Sequence, residues 1–304
     1  MEENGENEKS SCLWMLPEGC IAEILGLTSP LDVCRLSLVC KSVQFAAESD
    51  TVWKKFLPSD YQSIIAGSLS PIPDFRSKKD LYVYLCHHSL LIDGGRKSFS
   101  LDKWTGKKYY FLGARDLNIV WGDTPDYWTW TCLPESRFPE VAKLEWVCWL
   151  EIWGTIRAGS LSPFTSYVAY LVYKLENKYG FDYRPSEVSV GIPAVESETR
   201  FAFLDPNVET ECEYGEEEER IQREFDLQYE ELGLAPYWRN DPNLTFSDIQ
   251  HPKRRDDGWF EIELGEFYTE NEDDCIELRV HEVKAGIAKQ GLIVEGIEIR
   301  PRIR

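Results

Sequence analysis

Several things are missing from this 304-residue chain, and each absence removes a class of function. No stretch comes near the roughly 18 uninterrupted apolar residues of a membrane-spanning helix, so no membrane partner is expected. The opening MEENGENEKSSC is acidic and polar where a secretory leader is basic and then apolar, which places the expected site of action in the cytoplasm and nucleus. A glycosylation triplet at Asn243, Leu244 and Thr245 is discounted on the same ground. Positive charge is short: 33 Lys and Arg face 53 Asp and Glu, a net charge of −20. Nucleic acid, whose binding needs a basic face to displace counterions, is not expected as a partner.

The signatures of catalysis are missing too. There is no G-x-S-x-G elbow, no G-x4-G-K-[ST] phosphate loop and no C-x2-C pair, and His87, His88, His251 and His281 show no triad spacing. Cys86, His87 and His88 are adjacent, whereas zinc ligands are separated along a turn. Glu261 with Glu263, or Glu145 with Glu151, resembles the carboxyl pair of a glycosidase, but acids alternating along a strand are what a solvated sheet face shows. No enzyme, no cofactor and no metal is expected. The nine cysteines are odd in number, scattered and mostly set in apolar runs, which suits reduced, buried thiols used for packing.

What is present changes character near residue 100. Before it, apolar residues recur at helical spacing: Ile21, Ile24 and Leu25, then Leu36, Val39, Cys40 and Val43. Ser29, Pro30 and Asp32 have the form of a helix start, with a capping hydroxyl, a proline at the first position and an acid at the positive end of the dipole. After it the period becomes two. Ile276, Leu278 and Val280 alternate with Glu277, Arg279 and His281, and Ile297 and Ile299 with Glu298 and Arg300, as half-buried strands do. Segments 143–158 and 166–175 are apolar on both faces, which predicts strands held between two layers. Residues 205–232 carry twelve acids against two Arg, half of the net charge, and read as a solvated insertion, while a basic partner for it is the competing reading.

The run LPEGCIAEIL (16–25) followed by SPLDVCRLSLVCKSVQFAAESDTVWKKFLPSDY (29–61) resembles an F-box. That resemblance implies a small all-α domain over 13–58, after a disordered 1–12, which docks on a Skp-type adaptor of a cullin-based ubiquitin ligase. Leu16, Pro17, Ile24, Leu25, Leu31 and Trp53 are carried onto that interface; packing in a small helical core is the alternative for each. Residues 59–98 read as a part-helical connector.

Residues 97–130 and 133–156, with 254–268 and 291–301, resemble the phloem protein 2 family, the Nictaba-type lectins. The implied fold is an all-β antiparallel sandwich, jelly-roll-like, over 99–304, with the acidic insertion at about 205–245. A sugar ring has a C–H face and a hydroxyl edge, so its site needs a flat aromatic platform and a few converging polar groups. Trp121 and Trp128, in the WG(x5)W spacing that the family associates with carbohydrate, supply the expected platform, with Asp123, Asp126 and Tyr127 beside it. Trp130 reads as structural. Trp146 and Trp149, on opposite faces of one strand, require at least one to pack. Trp259 alternates with Phe260, Ile262 and Leu264, which puts it with Glu261 and Glu263 either as the far wall of the site or as a cover over the sandwich edge.

The resulting expectation is a ligase subunit that recognises N-acetylglucosamine- or N-acetyllactosamine-containing glycans on target proteins. A sandwich that binds protein without sugar and a stand-alone lectin are the competing readings.

Overall fold

The computed structural model describes residues 16–193, 198–208 and 249–302. The polar N-terminus 1–12 and nearly all of the acidic insertion lie outside the described residues. Two compact units divide the chain: one holds the helices up to Ala66 with Ser70–Leu90 and Ser100–Lys108, and the other holds Gly67–Leu69, Leu91–Phe99 and the rest from Tyr109. The expected connector is thereby split, its helices joining the first unit and Leu91–Phe99 the second.

The first unit contains α1 (Glu18–Leu25), α2 (Pro30–Leu36), α3 (Lys41–Ala47), α4 (Asp50–Phe56), α5 (Tyr61–Ala66) and α6 (Lys78–His87). Helix α2 starts where the sequence placed it: Ser29 Oγ accepts from Asp32 N at 3.1 Å and donates to its carboxylate at 2.7 Å. Apolar residues one turn apart, Ile21 and Leu25 on α1 and Val52 and Phe56 on α4, point into a shared core. Trp53 closes that core, its Nε1 donating to Ala47 O at 2.6 Å and its ring 5.2 Å from Tyr82.

The second unit is a sandwich of two sheets. The larger runs β1 (Leu90–Ile92), β2 (Lys97–Leu101), β3 (Lys108–Gly113), β15 (Gln290–Pro301), β8 (Ser166–Tyr179), β13 (Phe260–Tyr268) and β12 (Lys253–Arg254), with β5 (Trp128–Thr131) and β6 (Val141–Leu144) joined along β15. The smaller runs β11 (Ile249–Gln250), β10 (Thr199–Ala202), β9 (Ser186–Gly191), β14 (Cys275–Glu282), β7 (Leu150–Arg157) and β4 (Asn118–Ile119). From β3 to β12 in the larger sheet and from β10 to β4 in the smaller, neighbours pair antiparallel; the short β10–β11 pair is parallel. Strand β14 shows the expected alternation, with Ile276, Leu278 and Val280 buried.

Strand β15 departs from it. Glu298, expected outward and wet, is fully buried, because the outer face of the larger sheet carries a second layer in which Phe111, Phe138, Val141, Val172, Trp259 and Ile293 pack together. The buried carboxylate is answered by cations: Arg255 donates to it at 2.6 Å and Arg300 Nε at 3.0 Å, and both arginines also bond Glu261. Burial pushes the Glu298 carboxyl up, and the arginines outweigh it, holding it below the ordinary 4.5.

The strand expected over 143–158 is two strands in different sheets. Residues 145–149 leave β6 in the larger sheet and enter β7 in the smaller. This crossover is pinned at its middle: Val147 and Lys289 exchange backbone hydrogen bonds at 3.1 and 2.6 Å, and Lys289 Nζ donates to Cys148 O at 3.2 Å and Ile287 O at 3.0 Å. Lys289 is itself buried and paired with Glu282, each side chain 2 % exposed, while Glu282 also accepts from Lys284 N and Ala285 N at 2.9 Å.

The expectation of buried thiols fails. Cys20, Cys34, Cys132, Cys148 and Cys275 are exposed, Cys40 and Cys86 are half-buried, and all of these described cysteines are free. No helix of the described residues is long and apolar enough to cross a membrane.

Two stability measurements check these pairs. In urea denaturation of the full chain, Lys289→Ala is expected to cost the sandwich about 3–5 kcal/mol, because Glu282 is left buried without its cation. Glu298→Gln is expected to cost less, about 1.5–3 kcal/mol at neutral pH, since Glu261 still serves both arginines. The Glu298 pKa is depressed, so its contribution is complete above the ordinary carboxylate value and is lost as pH falls through the folded one. The gap between wild type and Glu298→Gln therefore narrows on acidification.

Candidate functional site

Most large apolar side chains of the sandwich are buried, but one end of it displays aromatic rings to water. Trp121 is 43 %, Tyr127 37 % and Trp149 55 % exposed. Trp121 and Trp149 stack at 6.1 Å between centroids with planes 16° apart, and Trp121 meets Tyr127 at 5.3 Å and 43°.

Local backbone geometry produces this arrangement. After β4 the chain turns twice in close succession, with Gly122 N bonding Ile119 O and Thr124 N bonding Trp121 O, each at 2.9 Å. Trp121 sits in the turn at φ +58°, a left-handed conformation that is costly for a bulky side chain and that the surrounding hydrogen bonds impose. A further pair of bonds, from Tyr127 N and Trp128 N to Thr124 O at 2.9 and 3.0 Å, winds the chain into β5. Tyr127 O in turn accepts from Glu145 N at 2.9 Å and Trp146 N at 3.4 Å, bringing the crossover and its Trp149 to the same place. Asp123 and Asp126 lie exposed on this turn, between Trp121 and Tyr127 in sequence.

Two expected platform residues are corrected. Trp128 is 2 % exposed: as the first residue of β5 it turns its ring into the sandwich, so the WG(x5)W spacing puts one tryptophan on the surface and the other beneath it. Trp259 is 1 % exposed, packed in the outer layer over the middle of the larger sheet with Lys174 Nζ 4.6 Å above its ring, so it forms no far wall of a surface site. Trp130 is held as a structural residue would be, Nε1 donating to Gly122 O at 2.9 Å and the Arg115 guanidinium 3.6 Å over its ring. Trp146 and Trp149 both reach solvent, because 145–149 is an irregular crossover and not the strand that would have sent one inward. Nothing in WVCW announces this: no Gly or Pro marks the break.

The carboxyl pairs are occupied. Glu261 serves Arg255 and Arg300, Glu263 takes Arg200 at 2.8 Å, Glu151 takes Arg279 at 2.9 Å and Glu145 accepts from the Thr129 hydroxyl at 2.7 Å. A cleft of about 540 Å³ lined by Asp93, Lys97, Tyr110, Thr155, Arg157 and Cys275 shares no residue with the aromatic end.

On the helical unit, Leu16, Pro17 and Ile24 are exposed and Leu31 is half-buried, as an interface requires. Leu25 and Trp53 are not available to a partner, at 0 % and 2 % exposed; they are the inner side of α1 and α4. The sequence reading missed Leu27, Leu38, Val39 and Phe45, which are 59–86 % exposed. Leu27, Leu38 and Val39 follow the ends of α1 and α2, where helical periodicity no longer says which way a side chain points.

The comparisons agree with this division. A family model described as phloem protein 2 matches residues 107–301, and an F-box-like model matches residues 13–59. Among similar proteins of Arabidopsis thaliana, F-box protein PP2-B1 is 39 % identical over 94 % of this chain and 89 % of its own length. F-box protein PP2-B15 is 41 % identical over 95 % of this chain and 96 % of its own length. Helices with uncovered apolar residues, then a sandwich with an aromatic end, are thus two known modules in a known order, and the chain belongs to the phloem protein 2 family, in its F-box-bearing form.

Proposed function

We propose that this chain is the substrate-recognition subunit of a Skp-cullin-F-box-type ubiquitin ligase in the cytoplasm and nucleus, and that its sandwich holds targets by N-acetylglucosamine- or N-acetyllactosamine-containing glycans. The observation that carries the sugar half is the exposed set of Trp121, Tyr127 and Trp149, with Asp123 and Asp126 exposed on the same turn as Trp121. Flat rings match the C–H face of a sugar, and carboxylates accept from the hydroxyls at its edge. The chain does no chemistry itself in this reading; it raises the concentration of a glycosylated target near the ligase. The paired state of its candidate carboxylates supports that.

The adaptor half rests on the F-box together with the uncovered apolar residues Leu16, Pro17, Ile24, Leu27, Leu38, Val39 and Phe45, with Leu31 at their margin. Apolar area of this kind on a small helical array is stabilised by burial against a partner.

On a glycan array, the full chain is expected to bind N-acetylglucosamine-containing glycans, and Trp121→Ala or Trp149→Ala to weaken binding by about 2 kcal/mol or more, roughly 30-fold, with near-ultraviolet circular dichroism unchanged. Silence of the intact protein on the array would defeat the sugar reading. In pull-downs with a purified Skp-type adaptor, Leu38→Glu combined with Phe45→Glu is expected to abolish capture while leaving helicity intact. Undiminished capture would move the interface elsewhere.

A further inference from the structure

Beside the Trp121 face stands a second exposed aromatic pair. Trp146 and Tyr179, 48 % and 55 % exposed, stack at 6.1 Å with planes 11° apart. We propose that this pair is a separate sugar-contacting subsite, so that the sandwich end reads an oligosaccharide through two distinct ring platforms and not a single terminal sugar. The proposal rests on the sugar-binding reading above and deepens it.

Tyr179 reaches Trp146 by a construction specific to the end of β8. The pairing of β8 with β15 shifts from Leu175 opposite Leu292 to Tyr179 opposite Gln290, so four steps along one strand are set against two along the other. The excess is absorbed as a bulge, with Asn177 at φ +48°. Across from it Gly291 sits at φ +85°, where a Cβ would lie 2.0 Å from Glu176 O, so no other residue fits. Bulges of this kind twist a strand and re-aim its side chains. Here the outcome is a tyrosine turned out into water against a tryptophan.

The two platforms are held together by the same backbone. Trp146 and Trp149 are three residues apart, which limits their Cα separation to about 11 Å. Between them Val147 and Cys148 are tied to Lys289, and Trp146 N bonds Tyr127 O. Lys143 and Glu176, each three residues before a member of the second pair, form an ion pair at 3.5 Å on β6 and β8. Five aromatic residues at this end thus remain 37–55 % exposed, while Trp128 and Trp259 of the same unit are buried. An exposed apolar area of this extent marks a binding surface, and its flat, spaced rings with polar neighbours suit a chain of sugars better than one ring.

Isothermal titration of the full chain with the β-1,4-linked di-, tetra- and hexasaccharides of N-acetylglucosamine tests this. Affinity is expected to rise about tenfold or more from disaccharide to the longer ligands, and Trp146→Ala or Tyr179→Ala to remove that rise while shifting disaccharide affinity by less than about twofold. Trp149→Ala is expected to weaken all three. Equal affinity for all lengths, or a rise that survives both substitutions, would overturn the second subsite and leave the first standing. Absence of binding at every length would overturn the sugar reading and the subsite with it.

Discussion

The buried pair of Lys289 and Glu282 is the contact on which the aromatic end of the sandwich depends. A cation and a carboxylate removed from water are tolerated when each is well coordinated, and here the coordination is the point: the ammonium also holds carbonyls of the crossover and the carboxylate also holds two amides of the following loop. The crossover itself has little regular pairing of its own. Without that anchor, the segment carrying Trp146 and Trp149 would be a short loop free to bury its two tryptophans, as apolar surface tends to.

The same logic runs through the larger sheet. It is covered on both faces, by the other sheet within and by loop residues such as Phe138 and Trp259 without, and covering the outer face strands Glu298 in the interior. The arginines Arg255 and Arg300 resolve that conflict and in doing so occupy Glu261, a carboxylate otherwise suggestive of chemistry. Ion pairing with these arginines accounts for both acids of this face.

What the sequence made legible follows from local rules. The Ser29 cap is chemistry within four residues, and the alternation of β14 is a period-two pattern with one wet face; both hold. The two family resemblances carried the order of the modules. Illegible were features set by distant parts of the chain. Glu298 looks outward until residues more than thirty positions away cover it. Trp128 looks like part of a surface turn, but the turn ends one residue before it and the strand that begins there points it inward. Trp149 looks like a strand residue, because a chain can pass between sheets without the Gly or Pro that usually marks a break. The helical surface was read in part, since Leu16 and Ile24 lie within or beside a periodic segment and Leu38 does not.

Trp121 closes the argument in a different currency. Its left-handed backbone, its stacking on Trp149 and its contact with Tyr127 fix the ring before any ligand arrives. Each flexible side chain that must be immobilised on binding costs about 0.5–1.5 kcal/mol, and at this ring that cost is already met by the fold. The entropy lost on recognition then falls on the ligand. Under the proposed glycan reading, a surface of this type discriminates by ligand stiffness: between two glycans offering the same sugar faces, the one whose linkages already hold those faces at the spacing of the rings binds better.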